Sequence, residues 1–205
     1  GKEIWRKDFP DPVREKLPID NFFRLAGASG TPAVAGGRCF VVGSSGMYGL
    51  SVTDGSVIWT MPLAAASNSS PLVLGDTVYA MLYGSLHALD ANTGKKRWHQ
   101  PKANGNAALV WKTGGKSYLI APGGVCIDPE DGKIVWQAEK AEVGNSTPVI
   151  SGDTLVLFGS SKFQAFKLSP QGAVHLYTQN YGSNWSERLC SPLVYQNYVY
   201  QNCDR

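Results

Sequence analysis

Nowhere in the 205 residues does an apolar run approach the roughly 18 residues that a membrane-spanning helix needs. No basic, apolar, small-residue leader opens the chain either, so the sequence predicts no transmembrane segment in this stretch. A block of like charge is equally missing. The 19 Lys and Arg and the 16 Asp and Glu are interspersed, and their net +3 offers no basic stripe to track a phosphate backbone. Nucleic acid is therefore not expected as a partner. Histidine is scarce: His87, His99 and His175 are the three present, and none stands four residues from another, the spacing that puts two imidazoles on one helix face. The four cysteines, Cys39, Cys126, Cys190 and Cys203, form no CxxC pair, which removes zinc-ribbon and thioredoxin-type chemistry. Cys39 and Cys126 lie in apolar runs and read as packed, free thiols.

What the chain has in quantity is turn punctuation. Its 23 Gly and 12 Pro are scattered without a low-complexity run, and 43% hydrophobic with 17% charged residues is ordinary for a globular protein. That combination predicts many short elements and disfavours helix bundles. The segments GMYGLSVTDGSVIW, GSLHALDANTGKKRW and GGVCIDPEDGKIVW share one design, in which Gly, three residues and Trp close each phrase. Gly55 leads to Trp59, Gly94 to Trp98 and Gly132 to Trp136, and Gly1 leads to Trp5 by the same count. A degenerate fourth copy, FQAFKLSPQGAVHLY, keeps Gly172 and places Tyr177 one residue beyond the Trp position. A fixed period near 40 residues signals a repeat architecture.

Upstream of each phrase lies a second shared element: GTPAVAGGRCFVVG, SSPLVLGDTVYAML, AALVWKTGGKSYLIA, STPVISGDTLVLFG and CSPLVYQNYVYQN. Each consists of two apolar, β-branched runs around a Gly, Asp or Asn turn, which reads as a β-hairpin. Hairpin plus phrase makes four strands, A to D. In the second repeat these fall near 70–74, 77–82, 85–90 and 95–100. Four strands every 40 or so residues are the signature of a β-propeller.

At these residues the chain resembles the PQQ-like, or quinoprotein alcohol dehydrogenase-like, repeat family. The family's Ser-Pro hairpin, Ala-Leu-Asp stretch, Thr-Gly-Lys turn and Trp are matched by Ser70, Pro71, Ala88, Leu89, Asp90, Thr93, Gly94, Lys95 and Trp98. The resemblance implies an all-β fold of four-stranded antiparallel blades, here a partial propeller. Complete blades are expected at 30–64, 65–102, 103–140 and 141–186. Residues 1–29 read as the end of a preceding blade with a long connection, and 187–205 as the first hairpin of a further blade. The repeated Trp and Gly residues themselves read as structural, the rings docking one blade on the next and the glycines permitting the turn.

The resemblance is specific for fold and weak for function, because the repeat serves enzymes and scaffolds alike. It implies two alternatives. One is a noncatalytic binding or assembly scaffold, periplasmic or extracellular. The other is part of a quinoprotein dehydrogenase whose PQQ and Ca²⁺ ligands lie in other blades. Dehydrogenases of this fold carry adjacent cysteines and a carboxylate cluster, and neither is evident here. Asp90, Asp128 and Asp131 sit at strand-end turns, where carboxylates bond nearby backbone. His87 alternates with Leu86 and Ala88 in a strand and reads as packed or solvated. No catalytic, cofactor-binding or metal residue is assigned.

Two insertions break the period, KDFPDPVREKLPIDNFFRLAGASG and QNYGSNWSERLC. Both join strand D to the next strand A. Phe22, Phe23, Arg24, Tyr181, Trp185 and Arg188 are residue types enriched at contact hot spots and form the candidate binding face for a protein or small molecule. Finally, a two-residue turn at Gln196 and Asn197 gives cross-strand partners whose numbers sum to 393. Cys190 and Cys203 also sum to 393 and would face one another, so a disulfide and a pair of free thiols both stay open. A bridge would imply an oxidising compartment.

Overall fold

The computed structural model describes residues 1–9, 30–63, 69–144, 146–159, 161–180, 192–196 and 198–201. Among them every regular element is a β-strand. The first sheet contains β1 (Ala33–Ala35), β2 (Arg38–Val42), β3 (Gly46–Ser51) and β4 (Val57–Pro62). The second contains β5 (Leu72–Leu74), β6 (Thr77–Leu82), β7 (Ser85–Asp90) and β8 (Lys96–Gln100). The third has β9 (Leu109–Thr113), β10 (Lys116–Ala121), β11 (Val125–Ile127) and β12 (Ile134–Gln137). The fourth has β13 (Val149–Ser151), β14 (Thr154–Phe158), β15 (Lys162–Ser169) and β16 (Gly172–Asn180). A hairpin of β17 (Leu193–Tyr195) and β18 (Tyr198–Tyr200) follows. Within each sheet the spatial order is the sequence order, an antiparallel meander.

The hairpin between β1 and β2 shows why the sequence folds this way. Ala35 pairs with Arg38, so Gly36 and Gly37 alone make the turn, with φ of 56° and 73°. Two successive positive φ values match the right-handed twist of the strands, and glycine adopts them without strain. The inner strands are covered on both faces and read as continuous apolar runs: all six residues of β6, Thr77 to Leu82, are buried. The last strand of a sheet is half-solvated, as the alternation in β4 shows.

The chain divides into two compact units, Gly1–Tyr83 with His87–His99, and Gly84–Leu86 with Gln100–Arg205. The first has a core that includes Phe40, Met47, Trp59, Val78, Leu82 and Leu89. The second is built around Trp111, Ile120, Cys126, Leu155, Phe166 and Leu168. Trp111 is completely enclosed, and its indole N–H donates to the Asp153 carboxylate at 3.1 Å.

A bulge recurs at one place in the C-to-D ladder. Gly49 faces Trp59 and the register then shifts, so that Leu50 faces Val57. Cys126 faces Trp136 before the same shift, and Ala165 faces Tyr177 before the shift to Phe166 with His175. Tyr177 thus stands at the Trp position itself, whereas counting from Gly172 placed it one residue beyond. The discrepancy lies in the glycine. Ser169 pairs directly with Gly172, which opens β16 and does not take the left-handed conformation of Gly55, Gly94 and Gly132. A shorter turn has replaced the Asp-to-Gly loop of the other repeats.

Candidate functional site

The residues singled out for binding, Phe22, Phe23, Arg24, Tyr181, Trp185 and Arg188, all lie outside the described residues, as do Cys190 and Cys203. The terminal hairpin does have the expected register: Leu193 pairs with Tyr200, Val194 with Val199 and Tyr195 with Tyr198, each summing to 393. Gln196 opens its turn with φ of 47°.

What the described residues show in detail is how the repeat's tryptophans are used. The Trp59 indole donates to the Ala91 carbonyl at 3.0 Å. Its ring covers Gly94, where a β-carbon would fall 2.6 Å from Cε3. Trp5 does the same with the first sheet, donating to the Val52 carbonyl at 2.7 Å and covering Gly55. The opening phrase of the chain therefore carries out the docking of a strand D although residues 1–9 form no strand. Trp136 departs from this. It is buried, yet its indole nitrogen has no hydrogen-bond partner. The shorter turn at Gly172 has removed the loop whose carbonyl would receive it.

The loops that receive these rings are fixed by their own carboxylates. Asp90 Oδ1 accepts from the Asn92 and Thr93 backbone N–H groups at 3.0 and 2.9 Å and from the Thr93 hydroxyl at 2.9 Å. Arg97 bridges its second oxygen to Asp76, each at 2.7 Å. Arg97 first, and Thr93 after it, pull the Asp90 carboxyl down to about 2. The Ser51 and Ser56 hydrogen bonds do the same to Asp54, also to about 2. These carboxylates are committed to the turns, as their positions in the sequence suggest.

In the second unit a buried amide holds residues 138–144, which follow β12, and sequence reasoning passed over it. Gln164, 2% exposed in β15, donates to the Lys140 carbonyl at 3.0 Å and accepts from the Glu142 N–H at 2.8 Å. Lys140 takes a φ of 59°, uncommon for a residue with a side chain. Glu142 is then held by Lys162 at 3.1 Å and by the Ser161 hydroxyl. Beside these contacts Val143 is 47% exposed. Gln164 itself was the signal, an amide set in the apolar run KFQAFKL.

The two described thiols, Cys39 and Cys126, are both shifted toward the protonated form. Burial, with Asp128 adding to it, pushes Cys126 up to about 12, and burial raises Cys39. Among the described residues no group of three or more His, Cys, Asp or Glu side chains could hold a metal ion. No helix of the described residues is long and apolar enough to cross a membrane.

A family model described as outer membrane protein assembly factor BamB, a PQQ-type repeat, matches residues 1–110. A curated relative, the outer membrane protein assembly factor BamB of Shewanella oneidensis, is 34% identical over 137 residues, covering 65% of this chain and 33% of that protein. The chain spans about a third of the length of the curated BamB relatives it matches. Among solved structures, BamB from Moraxella catarrhalis is similar with a TM-score of 0.65 at 15% identity, over 84% of this chain and 57% of that one. Quinohemoprotein alcohol dehydrogenase from Comamonas testosteroni is similar at 0.63 and 17% identity, over 86% and 39%. At such identities the structural likeness speaks for fold alone, an all-β propeller of four-stranded antiparallel blades. With more than half of its residues under the family model and its sheets repeating the same docking device, the chain belongs to the PQQ-like β-propeller repeat family.

Proposed function

We propose that this protein is a noncatalytic propeller scaffold that binds protein partners in outer-membrane protein assembly, outside the cytoplasm. The observation that carries the reading is the 34% identity to the Shewanella assembly factor. The site chemistry supports it, because Asp76, Asp90 and Glu142 are committed to turns and ion pairs that hold backbone in place. A scaffold needs well-held blades with distinctive connections, and the Trp-on-Gly docking and the Gln164 clamp support that reading. The binding face expected from the sequence, Phe22, Phe23, Arg24, Tyr181, Trp185 and Arg188, remains part of this proposal, as does the Cys190–Cys203 bridge.

The test is direct titration of the chain against a purified, detergent-solubilised outer-membrane protein assembly complex lacking its own BamB. Saturable binding that weakens tenfold or more in the Phe23→Ala, Trp185→Ala double variant supports the reading. No binding, together with stoichiometric retention of PQQ in the presence of Ca²⁺, would overturn it in favour of a quinoprotein dehydrogenase.

A further inference from the structure

We propose that Asn104 is a self-modification site: its side-chain amide cyclises onto the backbone nitrogen of Gly105, and hydrolysis leaves aspartate or isoaspartate in the connection between β8 and β9. Asn104 and Gly105 make the one Asn-Gly step in the sequence. Glycine matters there because, lacking a β-carbon, it neither shields its nitrogen nor restricts the backbone rotation that ring closure demands. The fold leaves both reacting groups available. Asn104 is exposed, and among the described residues neither its amide nor the Gly105 N–H has a hydrogen-bond partner. The chain on either side is held, since Ala103 and Ala107 are buried, so the step stands out from an anchored backbone.

The structure separates this step from others of similar sequence. Asp54 with Gly55 and Asp131 with Gly132 could close the same ring, but their glycine N–H groups donate to the Ser51 and Asp128 carbonyls at 2.9 and 3.0 Å. Hydrogen bonds from Ser51 to Asp54 and from Lys133 to Asp131 also keep those carboxyls ionised, and a carboxylate is a poor electrophile. Asn92 is exposed, yet the Thr93 N–H that would attack it donates to Asp90 at 2.9 Å. At Asn104 the Gly105 nitrogen loses its proton and bonds to the side-chain carbonyl carbon Cγ, the Cγ–Nδ2 bond breaks, and ammonia departs with that proton. Water then opens the cyclic imide at either carbonyl, so asparagine and water become aspartate or isoaspartate and ammonia, with no oxidant or cofactor. Either product adds a negative charge, and isoaspartate also lengthens the main chain by a methylene. That lengthening falls on a tight contact. A β-carbon on Gly105, whose φ is 126°, would lie 2.5 Å from Pro122 Cγ, and one on Gly123, the next residue, 2.8 Å from Val143 Cγ2. The modification therefore acts on a contiguous run of contacts that ends at the exposed Val143.

The experiment incubates the purified 205-residue chain in buffer, folded and, in parallel, unfolded in urea, and follows the tryptic peptide from Ala103 to Lys112 by mass spectrometry. Expected is a gain of about 1 Da that fragment ions assign to Asn104. Two products should separate, of which isoaspartate accepts a methyl group from an isoaspartyl methyltransferase, and each should take up one oxygen from ¹⁸O-labelled water. The folded chain should convert no more than about tenfold slower than the unfolded one, because the step is already exposed; conversion that waited for global unfolding would be slower by about a thousandfold or more. Asn104→Gln, a substitution at an exposed position, should abolish the change, and Asn92 and the two Asp-Gly steps should stay intact in the folded chain. A folded-state rate more than about tenfold below the unfolded one, conversion at Asn106 instead, a gain that persists in Asn104→Gln, or equal isoaspartate formation at the Asp-Gly steps would each overturn the proposal.

Discussion

Replacing Gly94 by Ala tests the docking device at its narrowest point. The residue has φ of 69°, and an added β-carbon would lie 2.6 Å from Trp59 Cε3 and 2.7 Å from Cδ2. Two penalties combine. Holding an L-residue in the left-handed region costs about 1–2 kcal/mol. Forcing a methyl group into a packed ring costs about 1–3 kcal/mol more. The expected loss is therefore about 2–5 kcal/mol, and each kcal/mol corresponds to about 2–4 °C in Tm for a chain of this size. Gly75→Ala is the control, because Gly75 has φ of 61° and nothing within 4 Å of the added atom. It should lose the conformational part alone, about 1–2 kcal/mol. The decisive measurement is a double-mutant cycle with Trp59→Ala, in urea, followed by circular dichroism. Once the ring is gone, Gly94→Ala should cost no more than Gly75→Ala, giving a coupling of about 1–3 kcal/mol. Equal losses at the two glycines in the parent protein, or a Gly94→Ala loss unchanged without Trp59, would refute the claim that the ring seats on the missing side chain.

Three further outcomes follow from the same contacts. Trp59→Phe should lose more stability than Trp136→Phe by about 1–3 kcal/mol, since the first strands the Ala91 carbonyl while the second removes a buried N–H that has no partner; paired urea titrations measure it. Burial, and then His99 and Lys96, hold His87 below its ordinary value. The unfolded chain therefore takes up the proton first, so His87's contribution is complete above about pH 6.5 and declines as pH falls toward the folded value; in unfolding titrations between pH 7.5 and 5, His87→Gln should flatten the slope. Thiol counting on the unfolded, unreduced protein should find two reactive groups, Cys39 and Cys126, if Cys190 and Cys203 are bridged, whereas four would remove the bridge and the compartment argument built on it.

Where a strand's periodicity or a turn's chemistry decides the structure, the sequence was readable. The second repeat's strands, expected near 70–74, 77–82, 85–90 and 95–100, form at Leu72–Leu74, Thr77–Leu82, Ser85–Asp90 and Lys96–Gln100. The two-residue turn gave the correct pairing sum for the last hairpin because register follows from loop length. Features that depend on contacts between strands were hidden. Counting from Gly172 could not locate Tyr177, because the bulge at Ala165 and a shortened turn act together. Gln164 is marked in the sequence as an amide inside the apolar run KFQAFKL, but the Lys140 and Glu142 backbone groups that it serves show only in the fold. The same holds for His87 and His99, which the meander brings together from twelve residues apart. The candidate face in the two long connections lies outside the described residues, so its standing still rests on composition.

The Trp59 seat is made of two things: a backbone carbonyl at Ala91 and the absent side chain of Gly94. Neither is a side chain. A contact surface written in main-chain atoms and a void needs no matched pair of side chains to change in step, so gene duplication can copy one unit and have the copy fit its parent at once. The remaining positions of each copy are then free to diverge, and the Trp5 and Trp59 joints keep one form, whereas the turn that carries Ser-Pro-Gln-Gly in place of Asp-x-x-Thr-Gly leaves the Trp136 nitrogen without a partner. On this view the modules behave as interchangeable parts, and a chimaera that substitutes residues 65–102 for another family member's repeat should inherit a working joint wherever the host offers its own tryptophan and glycine.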